Sequence, residues 1–182
     1  MLHFIYVQPP LLFISLMAAA LALWGCLAAK FHMTLHWQRG NLILSVLMAI
    51  AILYTTILSR SEGNTGLVLT PFAALAAARQ QPELYREMLM NVFLFFPLGL
   101  TLSNALPRRW HRWLRIALTT LTGCVLSAGI EYAQYRFALG MAETDDVICN
   151  TLGMFIGSTS LLVAHGIEKY KEKTIKHDSN KN

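Results

Sequence analysis

Five apolar runs, each long enough to cross a bilayer as a helix, alternate with short polar stretches along the chain. A hydrocarbon core about 30 Å thick takes about 20 helical residues. Pro9–Ala29 is the first run and carries no charge. The residues before it include no Lys or Arg, so it reads as a retained span and not as a cleaved leader. Gly25 and Ala29 supply a small-residue step for close helix packing. Asn41–Leu58, also uncharged, is the second run. Met88–Asn104 is the third, with Pro97 and Gly99 predicting a kink, and Ile116–Phe137 and Val147–His165 are the fourth and fifth.

The connections carry weaker signals. Lys30–Gly40 reads as a basic loop with Trp37 as an interfacial anchor. Ser59–Glu87 reads as a polar loop around an apolar island. There Thr70 and Pro71 predict the N-cap and first residue of a short helix, too short to cross and expected to lie at the interface or dip into the membrane. Pro82 and Glu83 predict a further helix start. Pro107–Arg115, with four arginines and two tryptophans, reads as a membrane-surface anchor or a specific anionic-lipid contact. The Lys-rich stretch from Glu168 to Asn182 reads as a polar tail, disordered toward its end.

Composition sharpens this picture. Apolar residues make up 55% of the 182-residue chain and charged residues 14%, against about 25% in soluble domains. The expected fold is an all-α integral membrane bundle of about five transmembrane helices plus a short interfacial or re-entrant helix. The expected organisation is residues 1–66, two membrane helices and the start of an outer loop; 67–165, a membrane domain; and 166–182, a cytoplasmic tail.

The net charge of +5 does not point to nucleic acid, because the basic residues sit between apolar runs or in the tail. Eleven Lys and Arg fall on the side holding the first basic loop, residues 107–115 and the tail, and four on the other. The positive-inside rule then predicts an outside N-terminus and a cytoplasmic C-terminus. Cys26, Cys124 and Cys149 are scattered through apolar runs and read as small hydrophobes. His32 and His36 lie four apart with no third ligand nearby. The chain therefore predicts no metal site and no cofactor.

Candidate chemistry lies in polar residues at the ends of apolar runs. A carboxylate inside a membrane helix costs roughly 2.5–3.5 kcal/mol near the bilayer centre, and such groups are functional candidates by default. Glu131 and Gln134 are three apart, on one helix face. Gly123, Ser127 and Glu131 recur every fourth residue, and Asp146, Asn150, Gly153 and Gly157 also share a face. The predicted topology brings Arg86 and Asn91, then Glu131, Gln134 and Arg136, then Asp145, Asp146 and Asn150 to one outer-leaflet depth. These eight residues are the candidate ligand-binding set, with Arg86 or Arg136 expected to pair the carboxylates. Asp145 and Asp146 could equally cap a helix N-terminus. Asn150 could be an interhelical hydrogen bond.

Three blocks in this region, R-E-M-L-M-N-V-F-L-F-F-P-L-G from Arg86, E-Y-A-Q from Glu131 and E-T-D-D-V-I-C-N-T-L-G from Glu143, together with V-L-T-P-F near Pro71, resemble the VanZ-like membrane protein family. The resemblance runs from about Leu67 to His165 and leaves the first two spans outside. It implies a bacterial inner-membrane protein acting on envelope lipids or lipid-like ligands, linked to glycopeptide (teicoplanin) resistance. Many members carry an Arg shortly before the final acidic pair, where this chain reads G-M-A-E-T from Gly140. The resemblance supplies no reaction.

Two functions fit these residues. In one, the cluster binds an envelope lipid or a lipoglycopeptide amphiphile, with membrane lipids as further expected partners. In the other, Glu131 and Asp146 act as acid/base groups or metal ligands of a membrane-embedded enzyme working on a lipid-linked precursor. The chain contains no hydrolase serine motif and no HExxH.

Overall fold

The computed structural model describes residues 10–31, 34–60, 66–78 and 80–179. Its order is α1 (Pro10–Phe31), α2 (Leu35–Leu53, continued by a π-helical turn Tyr54–Leu58), β1 (Gly66–Val68), α3 (Ala73–Ala77), α4 (Pro82–Ala105), α5 (Arg112–Arg136), β2 (Met141–Glu143), α6 (Thr144–Ser158) and α7 (Ser160–Ser179). Five helical stretches are long and apolar enough to cross a membrane: Leu12–Phe31, Leu35–Leu58, Glu83–Ala105, Arg112–Arg136 and Thr144–Lys176. The predicted all-α, five-span bundle is therefore what the chain forms.

The core is small and sits between α2, α4, α5 and α6. Ile52, Phe95, Leu98, Ile130 and Met154 close it, all nearly without exposure. Outside it the helices keep large apolar side chains exposed, among them Leu23, Ile43, Ile50, Leu121, Val125 and Leu152. That inversion is expected where the solvent is lipid, because tails as apolar as leucine give no drive to bury such groups.

Close approach depends instead on glycine. A Cβ on Gly153 would run into the Val92 carbonyl oxygen, and one on Gly157 into that of Phe96. One on Gly99 would meet the Met154 backbone in return. Thus α4 and α6 touch backbone to backbone along a seam of three glycines. At the other side of the bundle Gly25 lets α1 meet Val163 of α7.

Pro97 stands inside α4, and the helix runs through it unbroken from Pro82 to Ala105. The Thr101 hydroxyl donates back to the Pro97 carbonyl at 3.0 Å.

Several local expectations are corrected. Most of the supposed Lys30–Gly40 loop is helix, with Thr34 as N-cap of α2, its side chain accepting from the Trp37 N–H at 3.3 Å. The short helix after Pro71 starts at Ala73, not at Pro71, and Thr70 is not its cap. Phe72 holds the N-cap position in the left-handed region, with φ 62°. The polar connections also contain a parallel strand pair, β1 with β2, in register Gly66↔Met141, Leu67↔Ala142, Val68↔Glu143. The fifth span begins earlier and runs further than Val147–His165. Its helix breaks only at Thr159, where the hydroxyls of Ser158 and Thr159 bond back to the Phe155 and Ile156 carbonyls. The stretch Glu168–Ser179 is helical, while 180–182, together with His32 and Arg79, lie outside the described residues. Of the cysteines, Cys149 is buried, Cys124 half-buried and Cys26 exposed on the apolar surface.

Candidate functional site

The strand pair β1–β2 and the loop that enters α6 form one end of the bundle, and the polar residues of three helices converge beneath them. The Asn91 amide of α4 donates to the Asp146 carboxylate of α6 at 2.7 Å. The Glu131 carboxylate of α5, 7% exposed, accepts the backbone N–H of Glu143 at 3.0 Å. Asp145, buried at 4% exposure, accepts from the N–H groups of Phe72 at 2.5 Å and Ala74 at 2.7 Å. It therefore caps a helix, but α3 rather than its own. Thr144 adds a hydroxyl bond to the Val68 carbonyl at 3.3 Å.

Buried amides also tie the helices together. The Asn150 amide donates to the Ser127 hydroxyl at 2.8 Å, joining α6 to α5. The Gln134 amide donates to the Thr56 carbonyl at 3.0 Å. That carbonyl lies in the π-helical turn of α2, where the wider winding alters the usual i→i−4 ladder. The side-chain carbonyl oxygens of Gln134 and Asn150 have no hydrogen-bond partner among the described residues.

An open cavity of about 560 Å³ lies over this end. It is lined by Asn91 and Asp146, by Glu83, Arg86 and Glu87 of α4, and by Arg60 and Glu143. Met90 and Met141 give it exposed apolar edges. Four carboxylates and two guanidinium groups thus share one opening. Glu143 stands just outside the spans. Its carboxyl is raised above the usual range, first by burial and then by the negative charges of Asp145 and Glu87.

Of the eight candidate residues, Arg86, Asn91 and Asp146 line this cavity, and Glu131 lies directly behind its Glu143 wall. Gln134, Asp145 and Asn150 are buried in contacts within the protein. Arg136 ends α5 as an exposed residue outside the cavity lining. The basic residue that sequence reasoning missed is Arg60. It lies over Gly140, where an added Cβ would come within 2.9 Å of its Nη1, and its charge acts on both Glu131 and Asp146. Arg60 thus stands beside the position where an arginine was expected. The signal was available: it is the first charge after the second span, on the same side as Glu131. Among the described residues no three His, Cys, Asp or Glu side chains group as a metal site requires.

The VanZ/LLP1 family model matches residues 41–165, more than two thirds of the chain. The chain belongs to this family. The match takes in the second span, which carries Arg60 at its end, and so reaches further upstream than the motif blocks alone. Protein VanZ of Enterococcus faecium is 36% identical over 97 residues, covering 50% of this chain and 49% of the relative. The chain thus spans about half the length of the curated relative it matches. No solved structure matches it.

Proposed function

We propose that this VanZ-family protein binds an envelope amphiphile at the cavity over Asn91 and Asp146, in a teicoplanin-resistance-type role. The observation that carries this reading is the mixed character of the cavity. It offers guanidinium and carboxylate groups to a head group, and Met90 and Met141 as adaptable apolar edges to an alkyl portion. The ligand is an envelope lipid or the acylated part of a lipoglycopeptide.

Binding is favoured over catalysis because the buried carboxylates are already engaged. Glu131 holds the Glu143 N–H and Asp145 holds α3, which leaves Asp146, itself bonded to Asn91. The enzymatic reading retains one support, since Asp146 lines the cavity and Glu131 lies directly behind its Glu143 lining, two carboxylates beside one opening. The arrangement of charge fits a bacterial cytoplasmic membrane with this cavity outside and the C-terminus in the cytoplasm, as the Lys and Arg asymmetry implies. C-terminal fluorescent-protein and alkaline-phosphatase fusions read that orientation directly; an active phosphatase fusion would reverse it.

The test of function is mass spectrometry of lipids and added teicoplanin co-purifying with wild type and with Asp146→Asn in mild detergent. Wild type should retain one amphiphile unchanged and the variant should lose it. Equal retention by both removes the cavity from the function, and time-dependent conversion of a lipid by wild type alone would favour the enzyme.

A further inference from the structure

At the opposite end of the bundle lies a second cavity, of about 290 Å³. Sixteen residues of α5 separate Arg115 from Glu131, about 24 Å along the helix axis, so the two sites are independent. Three arginines line it: Arg108 from the connection after α4, and Arg112 and Arg115 from the first turn of α5. All three are half-buried, whereas Arg109 between them is exposed and outside this lining. Against them stands one carboxylate, Glu168 of α7.

Three guanidinium groups against one carboxylate leave this lining net positive. Arg115 is fixed in place, its Nε and Nη2 donating to the Ser103 carbonyl at 3.1 and 2.7 Å. Arg108 is near enough for its like charge to act on Arg115. The α5 N-terminus adds its partial positive charge at the same spot. Trp37 also lines the cavity, and its buried indole N–H has no acceptor among the described residues. Ala28, Leu161 and Ala164 give the lining an apolar side where α1 meets α7, and Asn104, Trp110, His111 and His165 complete it.

We propose that this cavity holds the phosphate of an anionic membrane lipid, with the arginines on the phosphate oxygens and the α1–α7 wall against the glycerol and first acyl carbons. A guanidinium presents paired donors that match phosphate geometry. A merely topological basic loop needs charge but no cavity, and would use Arg109 as well as Arg112.

The test uses the full chain in phosphatidylcholine nanodiscs containing a minor share of phosphatidylglycerol, with retained lipid counted by native mass spectrometry. Wild type should keep one phosphatidylglycerol. Arg112→Gln should bind it roughly tenfold more weakly and Arg109→Gln within about twofold of wild type. Equal loss in the two variants, or no loss in Arg112→Gln, overturns the proposal. Thermal stability of wild type gives a readout that needs no variant. The melting temperature should rise with phosphatidylglycerol and not with oleate, which brings charge without phosphate. An equal rise with oleate overturns the proposal. Displacement by inorganic phosphate, with an equal rise in melting temperature, would assign the site to free phosphate and not to a lipid.

Discussion

The Asp145 carboxylate holds the N-terminus of α3 from 71 residues away, accepting the Ala74 N–H at 2.7 Å. Its other oxygen takes the Phe72 N–H, and Phe72 stands at φ 62°, a conformation that costs a non-glycine residue about 1–2 kcal/mol. A single carboxylate therefore fixes both the turn and the helix start. Asp145→Ala leaves both N–H groups without their acceptor and should cost about 2 kcal/mol. Asp145→Asn keeps one acceptor and should cost less. Melting temperature in detergent measures the loss, and proteolysis of the 69–81 segment shows where it falls. Unchanged cleavage in Asp145→Ala would mean that α3 does not depend on this bond.

Glu131 makes a different prediction, because its role can be divided between shape and charge. Glu131→Gln retains a carbonyl oxygen for the Glu143 N–H and should keep most of the stability. Glu131→Leu leaves that N–H unpaired and should cost about 1–3 kcal/mol. If the charge of Glu131 also serves ligand binding, Glu131→Gln should lose bound amphiphile while melting like wild type. Comparing melting curves with the co-purifying lipid count separates the two. Retained binding in Glu131→Gln confines the residue to holding β2.

The spans were legible because apolar runs of this length have few alternatives, and the polar ends of α4, α5 and α6 were legible as exceptions within them. Their meeting at one end followed from topology alone. What hydropathy could not carry were long-range pairings by short elements. Three-residue strands such as Gly66–Val68 and Met141–Glu143 have too few positions for any alternation to register. The cap of α3 was sought in its neighbour Thr70, when it comes from Asp145. Arg60 was passed over in favour of Arg136 because the turn that places it is π-helical, a winding that no residue pattern announced. The helix at Glu168–Ser179 was missed because a polar, Lys-rich stretch has no apolar face to signal packing.

Glu143 links the site to pH. Its carboxyl is raised by burial, then by Asp145 and Glu87, so the folded protein binds its proton more tightly than the unfolded chain. Stability from this group is present below the unfolded pKa and is lost as pH rises through the folded value. Melting temperature should therefore fall from mildly acidic toward neutral pH, and Glu143→Gln should flatten that part of the profile while raising stability at neutral pH. A profile unchanged by the substitution would place the pH sensitivity elsewhere.

The glycine seam separates a packing requirement from a flexibility requirement. Gly129 and Gly153 both sit within helices, yet a Cβ on Gly129 would meet nothing within 4 Å, whereas one on Gly153 would strike the Val92 carbonyl oxygen of α4. If glycine were present to loosen the helices, both alanine variants should stiffen and stabilise the protein alike. If close approach is the reason, they must diverge. Gly129→Ala should be neutral or stabilising by up to about 1 kcal/mol, the difference in helix propensity. Gly153→Ala should destabilise by about 1–3 kcal/mol, since backbone atoms cannot move aside as a side-chain tip can. Because Asn91 adjoins Val92 and Asp146 lies about two turns from Gly153, pushing α6 from α4 should also lengthen their 2.7 Å bond and weaken ligand retention. Paired melting and lipid-retention measurements on the two variants decide between these accounts, and equal behaviour of Gly129→Ala and Gly153→Ala would defeat the close-approach account.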